Sequence, residues 1–200
     1  MDIINLEAKP IRLCDAAFIF SISMSTEPTI YYRPLEEEDF GAFVQLRKEA
    51  LLNEPEAYGP DYATFNATPL IDKEHFFERI LKYPFSFALG AFAQNEILVA
   101  MGCFTSYYTM VKRRHKGIMW GMYVKPEYRG QGIGKKMANL ILTAAKQDAG
   151  CEQAMITVTP PGSPAQKFYE DLGFIQYGIE YRALKLDTGY IDEVLMMKVL

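Results

Sequence analysis

The stretch YVKPEYRGQGIGKKM, Tyr123–Met137, constrains the fold of this chain more than any other. Its three alternating glycines are Gly130, Gly132 and Gly134. The run IMWGMYV before them predicts a strand, and the run GKKMANLILTAAKQDAG has apolar residues at helical spacing. Glycine permits a tight turn and lets a ligand approach the backbone amides closely. Because the first N–H groups of a helix lack internal partners and lie at its positive end, the loop predicts a phosphate or pyrophosphate site.

Two common phosphate-binding loops do not fit this stretch. The dinucleotide pattern G-x-G-x-x-G, started at Gly130, requires glycine where Lys135 stands. The triphosphate pattern G-x-x-x-x-G-K-[ST] requires glycine at Arg129 and a hydroxyl residue at Lys136. Glycine spacing alone also leaves an alternative open, which is a close crossing of helix and strand that needs small residues.

The order of the predicted elements indicates one mixed α/β domain. A chain of 200 residues that is 50% hydrophobic can form a single core. The order is a strand, two helices, three strands, a helix, a strand, a helix and two strands, which is typical of a sheet with helices packed on it. The first strand is TIYYR, the first two helices fall within 35–52 and 72–82, and the residues between them, 53–69, are predicted as loop.

The N-terminal residues 1–28 are interpreted as an extension, and residues 29–200 as the domain. The run AAFIFSISM within the extension is too short to span a bilayer as a helix. Acidic residues precede it where a secretory signal requires basic ones, so a strand-like role is favoured over targeting or membrane insertion.

Composition argues against several classes of partner. The formal net charge of −4 and the pI of about 5.3 argue against nucleic acid and favour a cationic partner. Cys14, Cys103 and Cys151 are far apart and odd in number, which predicts buried thiols in a reducing compartment and therefore a cytoplasmic protein. His75 and His115 offer no zinc-ligand spacing, so no metal is expected.

Two blocks of sequence together resemble the GNAT superfamily of acetyl-CoA-dependent N-acetyltransferases. Residues 129–134, RGQGIG, match the pattern [QR]-x-x-G-x-[GA] directly after a strand, and AQKFYEDLGF supplies a second block downstream. The order of elements agrees over 29–200. The resemblance implies a mixed, mostly antiparallel central sheet flanked by helices, and acetyl-CoA as co-substrate.

The resemblance also implies which residues bind the co-substrate. The loop positions expected to bind the pyrophosphate are Arg129, Gly130, Gln131, Gly132, Ile133, Gly134 and Lys135. The preceding strand is expected to splay from its parallel neighbour and to offer the backbone of Met122, Tyr123 and Val124 to the pantetheine arm. The amide of Met122 is expected to polarise the thioester carbonyl.

Tyr169 in KFYEDLGF matches the family tyrosine that acts as general acid toward the leaving thiolate. The alternative is that this ring only packs a short helix against the sheet. Two features depart from the family. Gly162 stands where an asparagine often binds the cofactor arm, and the strand before the loop contains no acid. The general base is therefore left open between a water relay and the candidates Glu49, Glu54, Glu180 and His115.

The stretch NEPEAYGPDYATF combines acids with aromatic residues, namely Glu54, Glu56, Tyr58, Asp61, Tyr62 and Phe65. That combination suits an amine-bearing acceptor, either a small molecule or a peptide terminus, although an ordinary exposed loop fits equally well. The leading hypothesis is transfer of an acetyl group to a primary amine. The alternative is a non-catalytic CoA-binding module that senses or interacts. Apolar strands at the end of the sheet also suggest a homodimer.

Overall fold

The computed structural model describes residues 30–200, which form one seven-stranded sheet with helices on both faces. The strands are β1 (Tyr31–Pro34), β2 (Ser86–Ala93), β3 (Ile97–Ser106), β4 (Lys116–Val124), β5 (Gln153–Val158), β6 (Ile175–Leu186) and β7 (Gly189–Val199). The helices are α1 (Phe40–Asn53), α2 (Tyr62–Ala67), α3 (Leu70–Ile80), α4 (Ile133–Gln147) and α5 (Pro164–Asp171).

The order of strands across the sheet is β1-β2-β3-β4-β5-β7-β6. β4 and β5 run parallel, whereas each of the other neighbouring pairs in this sheet is antiparallel. The helix α4 forms the crossover between the two parallel strands, as a parallel connection requires. This arrangement confirms the mixed, mostly antiparallel sheet expected from the sequence.

The two parallel strands stay together for only three residue pairs. Lys116–Ile118 of β4 pair with Gln153–Met155 of β5, and the register ends there. β4 nevertheless continues to Val124 along β3, and β5 continues to Val158 along β7. The sheet is therefore open between β4 and β5 at their carboxyl ends, directly before the glycine loop.

Each face of the sheet has its own hydrophobic core. One core lies under α4 and α5 and includes Met137, Ile141 and Phe174. The other lies under α1 and α3 and includes Phe43 and Phe77. The helix α4 shows how the sequence specifies this packing, because its apolar residues recur on the one face that is buried.

Two predictions about the first half of the domain were wrong. The first helix begins at Phe40 rather than Leu35, since Glu37–Asp39 form a separate 3₁₀ turn held by the bidentate pairing of Asp39 with Arg33. The predicted loop 53–69 contains the short helix α2. Asp61 caps this helix by accepting a hydrogen bond from the Thr64 amide at 2.8 Å, so one capping residue was enough to start a turn.

Several sequence features lie wholly or partly outside the described residues. These include the extension 1–28, its run AAFIFSISM, and Cys14.

Cys103 and Cys151 are buried free thiols, as expected of them. Burial raises the pKa of Cys103 to about 12, so this thiol stays protonated at neutral pH. Within residues 30–200, no helix has the length and apolar character needed to cross a bilayer.

Candidate active site

A cavity of about 900 Å³ opens where β4 and β5 separate. The predicted site residues that line it are Met122, Tyr123, Val124, Arg129, Gly130, Gly132, Ile133, Gly134, Lys135 and Tyr169. Gln131 is the exception, since it lies outside the lining and its Nε2 donates to the Glu127 carbonyl at 3.3 Å. The fold thus brings together two sequence blocks that are more than thirty residues apart.

The three glycines of the loop differ in backbone conformation and in surroundings. Gly130 and Gly132 both have φ of +76°, a left-handed conformation that side chains with a Cβ rarely adopt. A Cβ at either position would meet nothing within 4 Å, so both face open space. At Gly134, inside the first turn of α4, a Cβ would lie 3.5 Å from Cγ2 of Val124. The first two glycines therefore shape the loop, whereas a Cβ at the third would be in ordinary van der Waals contact with Val124.

The positive end of α4 faces this cavity. Gly132 is the N-cap, and the first-turn residues Ile133, Gly134 and Lys135 all line the cavity. Amides in a first turn have no carbonyl partner inside the helix, and no acidic side chain in this turn takes their place. The Lys135 ammonium adds a full positive charge, so this corner of the cavity suits an anion.

Arg129 is less available to a ligand than the sequence suggested. Its Nε donates to the Val124 carbonyl at 2.9 Å, and its Nη1 donates to Oε1 of Glu54 at the same distance. The guanidinium therefore fastens the loop to the end of β4 and to the residues after α1. Because Glu54 neutralises its charge, the net positive potential of the loop comes mainly from Lys135 and the helix end.

A β-bulge in β4 displaces Met122 from the regular ladder. Met101 and Cys103 of β3 pair with Tyr123 and Trp120, so Gly102 alone faces the two intervening residues. Gly121 has φ of +67°, which makes this local bend possible. A Cβ at Gly102 would lie only 2.3 Å from Sδ of Met122, so the missing side chain makes room for this methionine. The bulge changes the direction of the β4 backbone at Met122, beyond Ile118, where β4 no longer pairs with β5.

Tyr58 holds the bulge from the opposite wall. Its hydroxyl donates to the Met122 carbonyl at 2.8 Å, across 64 positions of sequence. The same wall is tied to the end of β5, because Oγ1 of Thr159 donates to the Glu56 carbonyl at 2.6 Å. The segment between α1 and α2 therefore bridges the gap between the two separated strands and forms one side of the cavity.

Tyr169 is buried in α5 and still reaches the cavity. Its residue exposure is 6%, and its ring makes edge contacts with Phe168 and Phe174 at 5.0 and 5.7 Å between centroids. No described residue forms a hydrogen bond with its hydroxyl. Burial, and then the nearby Tyr58, raise the pKa of Tyr169 above its ordinary value of 10.0. The hydroxyl is therefore a protonated donor at neutral pH, with no hydrogen-bond partner among residues 30–200.

The four candidate bases occupy very different places. Glu54 lines the cavity but is paired with Arg129. Glu49 accepts from the Tyr123 hydroxyl at 3.1 Å. Glu180 lies opposite Glu193 in the β6–β7 hairpin, and His115 precedes the start of β4, at the other end of the strand from Met122. Neither Glu180 nor His115 lines the cavity.

Gly162 and the acceptor stretch can also be placed. The Gly162 amide donates to Oε1 of Gln166 at 2.7 Å, and the residue lies just outside the lining. Of the acids and aromatics predicted to surround the acceptor, Glu54, Glu56 and Tyr58 line the cavity. The others do not line it, since Asp61 caps α2 and Phe65 packs against the core beneath α1.

Sequence reasoning missed Arg47, a buried arginine behind Tyr58. It lies on the apolar stripe of α1 among Phe43, Val44 and Ala50, and its residue exposure is 7%. Its Cζ is 4.7 Å from the centroid of the Tyr58 ring. The signal was present in the sequence, because an arginine on the buried face of an amphipathic helix is unusual.

The family model for the acetyltransferase (GNAT) family matches residues 46–174, which is more than half of the chain. The matched residues include the glycine loop, the bulge of β4 and Tyr169. The chain belongs to the GNAT acetyltransferase family. The resemblance drawn from the two sequence blocks is therefore confirmed.

Curated relatives match a shorter stretch of this GNAT protein. The thialysine N-epsilon-acetyltransferase of Bos taurus is 36% identical over 80 residues, and the protein of the same name from Sus scrofa is 35% identical over the same length. The match covers 40% of this chain and 46% of either relative. The chain therefore spans about half the length of these relatives.

Solved structures share the fold over most of this chain. An acetyltransferase of the GNAT family from Streptococcus pneumoniae superposes with a TM-score of 0.75 at 21% identity, covering 86% of this chain and 100% of that one. A GNAT superfamily phosphinothricin acetyltransferase from Sinorhizobium meliloti, in complex with acetyl-CoA, gives 0.72 at 17% identity, covering 86% and 89%. At these identities the likeness establishes the fold.

Proposed function

We propose that the chain transfers an acetyl group from acetyl-CoA to a primary amine of a small molecule or a peptide terminus. The observation that carries this proposal is the position of Tyr169, whose protonated hydroxyl has no hydrogen-bond partner among the described residues, in the cavity that also contains the glycine loop and the bulge at Met122. A site that only bound the co-substrate has no need of a buried proton donor at the thioester position.

The residues of the cavity fit the parts of acetyl-CoA. The first-turn amides of α4 and the ammonium of Lys135 suit the pyrophosphate, with open space at Gly130 and Gly132. β4 beyond Ile118 has no β5 partner, so its backbone can pair with the amide groups of the pantetheine arm. When bound there, acetyl-CoA supplies an acetyl group activated as a thioester.

The chain itself supplies proton donation and positioning. As the amine nitrogen bonds to the acetyl carbon and the carbon–sulfur bond breaks, Tyr169 donates its hydroxyl proton to the leaving sulfur, and the proton lost by the amine nitrogen passes to water and restores the tyrosine. The Met122 amide, turned out of the ladder by the bulge, stabilises negative charge on the carbonyl oxygen. Tyr58 fixes that bulge through the Met122 carbonyl, so it acts as a positioning residue. The low-dielectric surroundings of the cavity strengthen each of these interactions.

The amine class of the acceptor is supported by two observations. The names of the curated relatives specify an N-epsilon-acetyltransferase, which acts on a side-chain amine. The cavity wall of this chain also carries Glu56 and Tyr58, which suit an ammonium group before it loses its proton, whereas Glu54 is already paired with Arg129.

The activity is tested by following free thiol. We expect purified protein, given acetyl-CoA and a panel of primary amines, to release thiol only when an acceptor is present, with the acetylated amine detected by mass spectrometry. A Tyr169→Phe sample controls for contaminating thioesterase or transferase. Tight acetyl-CoA binding without thiol release across the panel would instead support the non-catalytic CoA-binding module.

We also propose a homodimer, formed through the exposed edge strand β6. This strand exposes Ile175, Tyr177, Ile179 and Tyr181. Uncovered apolar strands at a sheet edge tend to be paired. Light scattering at micromolar concentration should give about twice the chain mass of 22.8 kDa, and Tyr177→Lys combined with Ile179→Lys should return the mass of one chain. A single-chain mass for the unmodified protein would rule the dimer out.

The cytoplasm is the proposed location of the enzyme. Cys103 and Cys151 are free and buried, which suits a compartment where thiols are kept reduced. The cytoplasm also supplies small amines and nascent peptide termini as acceptors. An extracellular or periplasmic protein by cell fractionation would contradict this proposal.

A further inference from the structure

The Arg47 guanidinium is a buried positive charge with one unpaired end. Its Nη1 is shielded from solvent and has no hydrogen-bond partner among residues 30–200, and no ion pair within these residues includes Arg47. An arginine keeps its charge at neutral pH, even though burial lowers the pKa of Arg47. Because a buried charge without a partner destabilises the folded chain, fold stability alone does not account for an arginine at this position.

The guanidinium lies beside the peptide group that carries the Met122 amide. Its Nη1 is 3.7 Å from the position that a Cβ on Gly121 would occupy. The peptide bond that follows Gly121 carries the Met122 N–H, which is the group proposed to face the carbonyl oxygen of the thioester. Arg47 does not line the cavity, so its charge acts on this peptide group from outside the cavity and without contact to a ligand.

Tyr58 brings the same charge to the other side of Met122. The Arg47 Cζ is 4.7 Å from the centroid of the Tyr58 ring, and the hydroxyl of that ring donates to the Met122 carbonyl at 2.8 Å. A cation against an aromatic ring is attracted to it and polarises the hydroxyl, which strengthens the hydroxyl as a donor. Arg47 therefore stabilises Tyr58 in its observed position, and both peptide groups that flank the Met122 Cα lie close to a positive charge or a polarised donor.

We propose that Arg47 is a positioning residue whose fixed charge, acting through Tyr58 and the β4 bulge, stabilises the negative carbonyl oxygen of the transition state. This inference rests on the proposed function, because it requires a thioester oxygen at the Met122 amide. The low effective dielectric of the interior lets a charge act across one intervening layer of atoms. Since the charge is already in place, it needs no reorganisation during the reaction, and faster chemistry offsets the lost stability.

The first test removes the charge and keeps the packing. Arg47→Met retains a long side chain that packs well against the Tyr58 ring. It should lower kcat about 10- to 100-fold, less than the usual loss of a donor in direct contact with the oxyanion. Arg47→Gln, which keeps a hydrogen-bond donor without the charge, should show a similar loss. The KM for the acceptor and the Kd for acetyl-CoA should stay within about threefold of wild type, because the charge acts on the transition state.

The matched control is Arg79→Met. Arg79 is an exposed arginine on α3 whose Cζ is 5.8 Å from the centroid of the Phe76 ring, so it shares the contact with an aromatic ring but not the position beside the bulge. Its substitution should leave kcat, KM and Kd unchanged. The melting temperature of unliganded Arg47→Met should equal or exceed that of wild type, because an unpaired buried charge is removed and apolar volume is kept.

A spectroscopic measurement tests the charge without turnover. Acetyl-CoA that carries an isotopic label at the acetyl carbonyl is bound to each protein without an acceptor, and the carbonyl stretch is recorded by difference infrared spectroscopy. A positive potential at the oxygen polarises the carbonyl bond and lowers its stretching frequency. The bound band should therefore lie at lower frequency in wild type and Arg79→Met than in Arg47→Met and Arg47→Gln.

The outcomes separate this inference from the proposed activity. An Arg47-dependent carbonyl frequency without any acetylated amine would contradict the proposed activity alone. Acetylation by Arg47→Met at the wild-type kcat, or one carbonyl frequency for wild type and both Arg47 variants, would overturn the role of Arg47. A loss of kcat accompanied by a lower melting temperature and weaker acetyl-CoA binding would overturn it as well, because those changes indicate a purely structural role.

Discussion

Tyr169→Phe is expected to lower kcat for the best acceptor about 10²–10⁴-fold, the usual contribution of general acid catalysis. The substitution removes the hydroxyl but keeps the ring that contacts Phe168 and Phe174. Acetyl-CoA affinity should change far less, because the proton is needed in the transition state rather than in the ground state. The measurement is single-turnover kinetics, which isolates chemistry from slow product release.

The pH dependence of the wild-type enzyme provides a second check on Tyr169. Its pKa is raised above the ordinary 10.0, so the donor stays protonated across the neutral and mildly alkaline range. The rate should therefore rise with pH as the acceptor amine loses its proton, without a falling limb below about pH 10. Melting temperatures control for folding.

Tyr58→Phe is the informative comparison for Tyr169→Phe. Both rings lie in the same cavity, but the Tyr58 hydroxyl already donates to the Met122 carbonyl. Its loss should loosen the bulge and reduce the rate less than the loss of the Tyr169 hydroxyl. A larger loss in Tyr58→Phe, or a Tyr169→Phe enzyme within about threefold of wild type, would mean that Tyr169 is not the acid.

Local sequence signals predicted the elements that carry the cofactor loop. The apolar stripe of α4 and the Ser163–Pro164 start of α5 are set by neighbours within a few residues. α4 begins at Ile133, one residue before the predicted run, and α5 begins at Pro164. Ser163 accepts from the Gln166 amide at 3.3 Å, as an N-cap does. The glycine loop and the block AQKFYEDLGF also predicted the family and the fold, because few folds combine these two patterns at this separation with this order of helices and strands.

The contacts that complete the site could not be predicted in this way. Arg129 pairs with Glu54 across 75 positions, and Tyr58 reaches Met122 across 64. Such partners depend on how the segment after α1 folds across the gap between β4 and β5, which no local pattern encodes. Arg47 was detectable as an anomaly on an apolar face, but the lack of a hydrogen-bond partner for its Nη1 among residues 30–200 is visible only once the core is assembled.

Gly132→Val is expected to weaken acetyl-CoA binding about tenfold to a hundredfold, because a β-branched residue at φ of +76° carries roughly 1–3 kcal/mol of backbone strain. The loop can relieve that strain only by turning its amides away from the pyrophosphate position, and the valine methyls would extend into the open space that the ligand occupies. Calorimetric titration of acetyl-CoA measures the effect. Gly134→Val should also weaken binding, by pressing on Val124 and Phe168 and shifting the start of α4.

Gly150→Val is the matched control for the loop substitution. Gly150 also has positive φ, +67°, with nothing within 4 Å of its Cβ position, but it follows the opposite end of α4. Both valine variants should therefore lose similar stability in thermal unfolding, while only Gly132→Val loses affinity. If backbone strain alone mattered, both variants would have the same dissociation constant for acetyl-CoA. If the loop amides hold the ligand, the dissociation constant of Gly132→Val should be the larger one. A folded Gly132→Val variant that binds acetyl-CoA as tightly as Gly150→Val would show that the loop does not hold the pyrophosphate.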